Sequence, residues 1–355
     1  MADNTGLETA LGNQETVTRH YGGTVEMHFE PVLHGYWVEI DGQRYFVSSV
    51  TTVLDVLDKP ALVQWAANET VNHILDAVPM EDQAREYMRA YYQRLRDKLP
   101  WDEAVNGPSA LVTLDTRALV DIANAARFNF RKISKDATDV GKQAHGWLET
   151  FINTAISLST GGEFSTALPE EERARNCVTA ALAWFNKHKF RPLASEKKVY
   201  SLRYNYSGTF DWLAYITSCG DAACCPFEGE KLCLGDFKSS KALYDEYRLQ
   251  VAAYQQAHTE EFPDVKIDLR CVLRLGKDDG AFEPMTMTND AYEADLDGFL
   301  GALEAYNWQK QIDLDRKMDR DAEKAFKKAQ KAKDKKPRKV AIKKPKYEEI
   351  PVEVV

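Results

Sequence analysis

Residues 208–211 read GTFD, and residues 235–238 read GDFK. Both stretches lie in segments predicted as strands, and we expect these two strands to be neighbours. In an extended segment Asp236 and Lys238 point to the same face, whereas Phe237 turns into the core. Two carboxylates, Asp211 and Asp236, beside one ammonium can hold a divalent metal ion against a phosphodiester. A salt bridge on a surface strand has the same residues, so the rest of the chain must decide between these interpretations.

The composition sets broad limits on the class of protein. The chain has 355 residues and no apolar run near the roughly 20 residues that span a bilayer. Its first residues lack the basic and apolar regions of a signal peptide. We therefore expect a cytoplasmic protein without a membrane partner, whose six cysteines are reduced thiols or metal ligands. The net charge of −9 does not exclude nucleic acid, because residues 324–346 are densely basic.

The residue pattern predicts four regions. Residues 1–20 are polar without apolar periodicity and are predicted to be disordered. Residues 21–138 contain alternating strands with an Asp41-Gly42 hairpin turn, followed by helices. Residues 139–312 mix helices and strands in the order of an α/β core. Residues 313–355 are predicted to be a basic helix that continues into a disordered tail.

The helical part of residues 21–138 is rich in arginine, tyrosine and tryptophan. Interleaved aromatic and basic side chains suit stacking on single-stranded bases with phosphate contacts alongside, so this region is a candidate guide for DNA. A helical bundle with aromatic residues in its core has the same composition. Just before these helices, Ser49 and Thr51 can cap a helix or hold a phosphate, and capping is the commoner role.

Five short motifs follow one another between residues 139 and 258. They are Gly141 with His145 on a helix, Glu196 on a strand, Gly208 with Asp211 on the next strand, Asp236 with Lys238 on a third, and Gln250 with Tyr254 on the following helix. Each motif alone is weak. Their order resembles the RecB-like branch of the PD-(D/E)XK nuclease superfamily, which includes phage recombination exonucleases and CRISPR adaptation nucleases. The resemblance implies a restriction-endonuclease-like fold, with a mixed central sheet flanked by helices, a helical insertion and an N-terminal β-hairpin.

The resemblance also implies a metal site. Hydrolysis of a phosphodiester needs a neutralised phosphate, an activated water and a stabilised leaving oxygen, and one or two Mg²⁺ or Mn²⁺ ions can supply all three. Such hard cations prefer oxygen ligands. The implied ligands are Asp211, Asp236, the backbone carbonyl of Phe237 and a ring nitrogen of His145.

The other motif residues are expected to act on the water and the DNA. Lys238 would position or deprotonate the attacking water, since nearby cations lower the pKa of an ammonium. Glu196 would bind a metal ion or orient that water, and Gln250 and Tyr254 would hold Lys238 and the DNA backbone in place. The candidate DNA contacts outside the motifs are Ser49, Thr51, Ser239 and Ser240.

The cysteines suggest a second, separate metal site. Some relatives hold a [4Fe–4S] cluster through a cysteine ahead of the histidine motif, but here the first cysteine is Cys177, so we expect no Fe–S cluster. Four cysteines lie between the two acid-bearing strands and could hold Zn²⁺. They are Cys219, Cys224, Cys225 and Cys233. Because their spacing lacks two C-x-x-C pairs, a hairpin with reduced thiols is the competing interpretation.

The sequence thus predicts a metal-dependent DNA exonuclease of phage-type recombination or DNA end processing. Its expected partner is DNA, as linear duplex ends or a single strand, together with a single-strand annealing protein. The alternatives are a structure-specific or single-strand endonuclease, a nuclease acting on RNA, and a catalytically silent DNA-binding scaffold. The basic tail would add affinity that falls as salt rises, or would simply be a solvated end.

Overall fold

The computed structural model describes residues 16–30, 35–57, 60–96, 116–158, 167–222 and 224–333. Nine strands lie within these ranges: β1 (Thr16–His20), β2 (Val25–Glu30), β3 (Gly35–Ile40), β4 (Gln43–Ser49), β5 (Arg191–Ser201), β6 (Tyr206–Thr217), β7 (Glu230–Lys238), β8 (Leu269–Leu275) and β9 (Phe282–Thr288). Seven α-helices lie in the same ranges: α1 (Val50–Leu54), α2 (Pro60–Ala77), α3 (Asp82–Arg96), α4 (Thr116–Leu158), α5 (Glu172–Lys187), α6 (Glu246–Glu261) and α7 (Tyr292–Lys333).

One mixed sheet contains all nine of these strands. Their order is β1-β2-β3-β4-β6-β7-β8-β9, and β5 also pairs with β6. The β5–β6, β6–β7 and β8–β9 pairs are antiparallel, whereas β7 and β8 are parallel and are connected through α6. A parallel pair needs such a crossover, because a short turn cannot return the chain to the same end of the sheet. The protein therefore has the large mixed sheet flanked by helices that the sequence predicted.

The hairpin predicted at Asp41-Gly42 is confirmed. Ile40 pairs with Gln43 across the turn, and the two central residues have φ angles of 51° and 74°. Two successive positive φ angles define a type I′ turn, whose twist matches that of the flanking strands. The hairpin joins β3 to β4, and β1 and β2 extend it into four antiparallel strands.

A hydrophobic core lies among α4, α5 and the central strands. Ala144, Leu148 and Ile152 are fully buried, as their helical spacing predicts. They pack in one cluster with Trp184 of α5 and Phe237 of β7. Burying a leucine or isoleucine side chain stabilises a fold by about 1.5–3 kcal/mol, so this stripe holds α4 firmly against the sheet. Because His145 follows Ala144 directly, the stripe also determines where that histidine lies.

The prediction that residues 1–20 are disordered is wrong for residues 16–20. These residues form β1, which pairs with β2 along its whole length. His20 at its end is buried, and its Nδ1 lies 2.8 Å from Glu261 Oε2 at the end of α6. The polar sequence gave no sign of this order, because backbone pairing and one distant carboxylate provide it. Residues 1–15 lie outside the described ranges.

The helix that carries Gly141 and His145 begins at Thr116 and continues to Leu158. The predicted border between residues 138 and 139 therefore falls inside a continuous helix. Residues 97–115 of the expected helical insertion lie outside the described ranges. The strands of residues 21–138 also belong to the same sheet as those of residues 139–312.

The described residues up to Leu303 form one compact unit, and those from Glu304 to Lys333 belong to a second. The second unit is described as helix up to Lys333, and two of its lysines form ion pairs along that helix. Lys324 Nζ lies 3.3 Å from Asp321 Oδ1, and Lys327 Nζ lies 2.6 Å from Glu323 Oε1. These contacts fit a solvated helical surface. The predicted basic tail beyond residue 333 lies outside the described ranges. Among the described helices, none has the length and apolar character needed to cross a bilayer.

Candidate metal centre

The two motif acids meet where the pairing of β6 changes from β4 to β7. On this edge of β6, Ser207 pairs with Ser49 of β4, and from Trp212 onward the strand pairs with β7. Trp212 is opposite Gly235, so Asp211 and Asp236 are the next residue on each strand. The strands predicted as neighbours are therefore adjacent, and their acids lie at the point where the two strands begin to pair.

Asp211 is buried and held by groups from two other elements. Its Oδ2 accepts a hydrogen bond from the Phe237 amide at 2.5 Å and lies 3.5 Å from His145 Nδ1. Burial opposes ionisation of this carboxyl, but His145 and the Phe237 amide favour the charged form and together lower its pKa. Asp211 is therefore a carboxylate at neutral pH, with its charge directed toward His145.

Asp236 and Lys238 lie side by side on β7, as the period-two spacing predicts. Lys238 Nζ is 2.6 Å from Asp236 Oδ2. Burial raises the pKa of Asp236 to about 6, although Lys238 acts in the opposite direction. Burial acts to lower the pKa of Lys238, but Asp236 outweighs it and the pKa is raised. In the metal-free protein Lys238 is thus a charged ammonium, so the expected lowering of its pKa would require bound cations.

His145 and Glu196 complete the group of ionisable side chains. The donor atoms of His145, Glu196 and Asp211 all lie within 4.8 Å of one another. Burial, together with the charges of Asp211 and Glu149, raises the pKa of Glu196 to about 8, so its carboxyl is protonated at neutral pH. Burial opposes protonation of His145, but Asp211 and Asp236 raise its pKa above the usual value. Glu149, which is one helical turn after His145, was not among the predicted site residues.

Glu196 also has an unusual backbone conformation. Its φ angle is 46°, in the left-handed region that non-glycine residues rarely adopt. The neighbouring residues Ser195 and Lys197 pair regularly with β6 on either side of it. Such outliers are concentrated at functional sites, where the surrounding structure holds a side chain in one orientation.

Two motif glycines are explained by close packing. A Cβ atom on Gly208 would lie 2.3 Å from Cε1 of Tyr254, and one on Gly141 would lie 2.8 Å from Oγ of Ser239. Gly208 therefore allows α6 to approach β6, and Gly141 allows α4 to approach the end of β7. Both approaches bring motif residues toward the acids.

Gln250 and Tyr254 are buried on α6, and Gln250 Nε2 donates a hydrogen bond to Tyr254 Oη at 2.8 Å. The expectation was that they hold Lys238. Lys238 Nζ lies over the ring of Tyr247, 4.9 Å from its centroid. Tyr247 is one turn before Gln250 on the same helix. This spacing places the two side chains on one helical face, so it could have predicted that Tyr247 lies at the site.

The four candidate DNA contacts have different surroundings. Ser49 caps α1, since its Oγ accepts a hydrogen bond from the Thr52 amide at 3.1 Å. Of its two possible roles, capping is the one that the structure describes. Thr51 is exposed in the first turn of α1. Ser240 Oγ donates to the carbonyl of Ala242, and Ser239 lies beside Gly141 at the end of β7.

The donor set fits a hard divalent cation such as Mg²⁺ or Mn²⁺. Asp236 Oδ2 is buried, and its partner among the described groups is the Lys238 ammonium 2.6 Å away. Buried carboxylates must be paired or coordinate a cation, and carboxylate oxygens are the ligands that hard divalent ions prefer. Asp211, Glu196 and His145 supply further oxygen and nitrogen donors, which suit these ions.

The predicted four-cysteine set is wrong in one member. Cys219, Cys224 and Cys225 lie together, but the fourth neighbour is His188 at the end of α5. Cys233 is fully buried in β7, where its Sγ contacts the carbonyl of Leu234. His188 was not among the predicted ligands, because it lies 31 residues before Cys219, on a different element.

The described part of the helical insertion has internal contacts typical of a bundle. The Arg85 guanidinium donates to the carbonyl of Asp76 at 2.8 Å, and Arg89 forms an ion pair with the Asp76 carboxylate. Tyr92 Oη donates to Asn68 Oδ1 at 2.9 Å. These contacts tie α3 to α2, so part of the aromatic and basic composition serves packing.

Comparison with known proteins adds no relative. No protein-family model matches this chain, and no curated protein matches it significantly.

Proposed function

We propose that this protein is a metal-dependent deoxyribonuclease with the PD-(D/E)XK arrangement of catalytic residues. The observation that carries the proposal is the meeting of Asp211, Asp236 and Lys238 at the junction of β6 and β7, with His145 and Glu196 beside them. A surface salt bridge would need only one acid and the lysine. Here two buried acids converge with a lysine and a histidine, and such clusters of buried ionisable groups with shifted pKa values are concentrated at functional sites.

The residues of the site suit hydrolysis of a phosphodiester. When bound, Mg²⁺ or Mn²⁺ would neutralise charge on the phosphate and lower the pKa of a water molecule. Asp211, Asp236 and the carbonyl of Phe237 would hold the ion, with His145 available as a nitrogen ligand. Lys238 enters the reaction as an ammonium and donates hydrogen bonds to the attacking water or to a phosphate oxygen.

Glu196 is the candidate for proton exchange in this site. Its pKa of about 8 lies close to neutral pH, where a carboxyl group can both release and accept protons efficiently. Its position next to Asp211 allows it to orient the attacking water through a hydrogen bond. We propose exonuclease activity in DNA end processing or recombination, because the order of the motifs resembles that of recombination exonucleases.

The test is digestion of end-labelled linear duplex, single-stranded and circular DNA with Mg²⁺, with Mn²⁺ and with EDTA. We expect loss of linear DNA from its ends with either cation and no digestion in EDTA. Cleavage of circular DNA would mean that the protein is an endonuclease and not an exonuclease. An absence of cleavage with both cations on every substrate would contradict the nuclease and favour a DNA-binding scaffold.

The site assignment has its own test in Lys238→Ala. Loss of the ammonium should lower the cleavage rate by about 10²–10⁴-fold, the usual contribution of a positioned proton donor or acceptor, with DNA binding largely retained. Lys241→Ala is the matched control, because Lys241 is exposed three residues further along the chain. Equal activity of the two variants would mean that Lys238 has no catalytic role.

A further inference from the structure

Three cysteines and one histidine meet at the end of the sheet beside α5. His188 follows the last residue of α5, and Cys219, Cys224 and Cys225 lie in the connection between β6 and β7. All four donor atoms lie within 4.8 Å of one another. His188 Nε2 is 3.2 Å from Cys224 Sγ, and Cys219 Sγ is 3.4 Å from Cys225 Sγ.

These distances are within about 0.4 Å of those between ligands around one tetrahedral metal ion. With metal–sulfur bonds of about 2.3 Å and metal–nitrogen bonds of about 2.0 Å, tetrahedral angles separate the donor atoms by roughly 3.5–3.8 Å. A disulfide would require about 2.05 Å between the sulfur atoms. Cys219 and Cys225 are free thiols at a separation well beyond that value. The cluster therefore has the dimensions of a metal site and not of a disulfide.

His188 is oriented as a metal ligand. Its Nδ1 lies 2.8 Å from the carbonyl oxygen of Trp184, and a carbonyl can only accept, so Nδ1 carries the proton. The neutral ring then has its lone pair on Nε2, which faces Cys224. A backbone carbonyl on the far nitrogen is the usual partner of a metal-bound histidine, because it sets the tautomer and the ring orientation. The ring is buried and stacks on Trp184.

The backbone of the connection holds the three cysteines in place. Both Cys224 and Cys225 donate their amides to the carbonyl of Asp221, at 3.1 and 2.7 Å. The Cys219 amide donates to Cys225 Sγ at 3.4 Å, a contact that favours a thiolate. Thr286 Oγ1 donates to the carbonyl of Cys224 and connects the segment to β9. The donors are thus arranged by backbone hydrogen bonds from several directions.

We propose that His188, Cys219, Cys224 and Cys225 bind a structural Zn²⁺ ion. Three thiolates and an imidazole are soft donors that select Zn²⁺ over Mg²⁺, and four protein ligands leave no open position for a substrate. On binding, the thiol protons pass to solvent and each sulfur forms a bond to the ion. The ion joins the β6–β7 connection to the end of α5. It would therefore brace the hairpin whose other end carries Asp211 and Asp236.

The test measures metal in the purified full-length protein, independently of nuclease activity. We expect about one zinc per chain by elemental analysis, and less than about 0.1 in Cys219→Ser and His188→Asn, each with a lower melting temperature. The asparagine can still donate to the Trp184 carbonyl, so His188→Asn removes the ligand and keeps that hydrogen bond. Because Cys219 is only partly buried, Cys219→Ser tests the site even if His188→Asn does not fold.

Two matched controls distinguish this site from other possibilities. Cys233→Ala and Asp211→Asn should both retain zinc, since Cys233 lies outside the cluster and Asp211 belongs to the carboxylate site. Cobalt added to chelator-treated protein should give the thiolate charge-transfer and d–d absorption of a tetrahedral site, and Cys219→Ser should abolish it. Zinc retained by both Cys219→Ser and His188→Asn would overturn the proposal. So would loss of zinc in Cys233→Ala, iron–sulfur absorbance, or no zinc and no cobalt binding by the reduced protein.

Discussion

Gly208→Ala gives the most direct test of how the site is packed. The added Cβ would lie 2.3 Å from Cε1 and 2.9 Å from Cδ1 of Tyr254. Ordinary van der Waals contact begins at about 3.4 Å, so the ring and the strand must separate by about 1 Å. Tyr254 cannot turn away easily, since it is buried and its hydroxyl accepts a hydrogen bond from Gln250.

The separation should affect both stability and catalysis. Overpacking a buried site costs about 1–3 kcal/mol, so the free energy of unfolding should fall by that amount. A shift of about 1 Å in an element next to catalytic groups lowers rates by roughly 10²-fold, so cleavage should fall to about that extent. Gly301→Ala is the control, because nothing lies within 4 Å of its Cβ and alanine favours an exposed helical position.

Urea denaturation monitored by circular dichroism measures the stability, and initial rates of DNA digestion measure the activity. In a Tyr254→Ala background all of the clashing side-chain atoms are absent, so adding Gly208→Ala should cost less than about 0.5 kcal/mol. The reasoning would be refuted if Gly208→Ala cost the same in both backgrounds. A Gly208→Ala protein with unchanged stability and activity would also refute it.

Two further predictions concern stability alone. Burial lowers the pKa of His258 to about 4, against 6.5 in an unfolded chain. The unfolded state therefore takes up a proton first as the pH falls. The free energy of unfolding should be unaffected by this group above pH 6.5 and should decline by up to about 3 kcal/mol as the pH falls toward 4. Urea titrations across this range should show the decline in the wild type and a shallower one in His258→Gln, and equal slopes would contradict the assignment. Asp295→Asn leaves the buried Arg270 guanidinium, 2.9 Å away, without its carboxylate and should cost about 3–5 kcal/mol. The control is Glu283→Gln, which breaks the more exposed pair with Arg274 and should cost less than about 1 kcal/mol. Thermal or urea unfolding measures both variants, and similar losses in the two would count against a buried charge pair.

Local sequence patterns predicted the elements that carry the site. The alternation in GDFK determined that Asp236 and Lys238 share a face of β7 and that Phe237 is buried, because side chains of a strand alternate with period two. The stripe of Ala144, Leu148 and Ile152 likewise predicted the buried face of α4. The Asp41-Gly42 turn could be predicted because few residues adopt positive φ angles in succession.

Contacts between residues that are distant in the sequence could not be predicted from local patterns. The order of β1 depends on pairing with β2 and on a carboxylate 241 residues from His20. The exchange of Cys233 for His188 in the cysteine cluster depends on how the β6–β7 connection folds against α5. Neither arrangement leaves a periodic pattern, since each involves single residues brought together by the sheet.

The sequence by itself determined which residues could form a metal centre and the order in which they occur along the chain. Only the tertiary structure decided their ionisation, because the pKa of a carboxyl group depends on burial and on its charged neighbours. Asp211 is a carboxylate beside His145, whereas Glu196, on the neighbouring strand, has a pKa of about 8 and is protonated at neutral pH. Two carboxyl groups in the same motif set thus have opposite protonation states at neutral pH, and the fold assigns them.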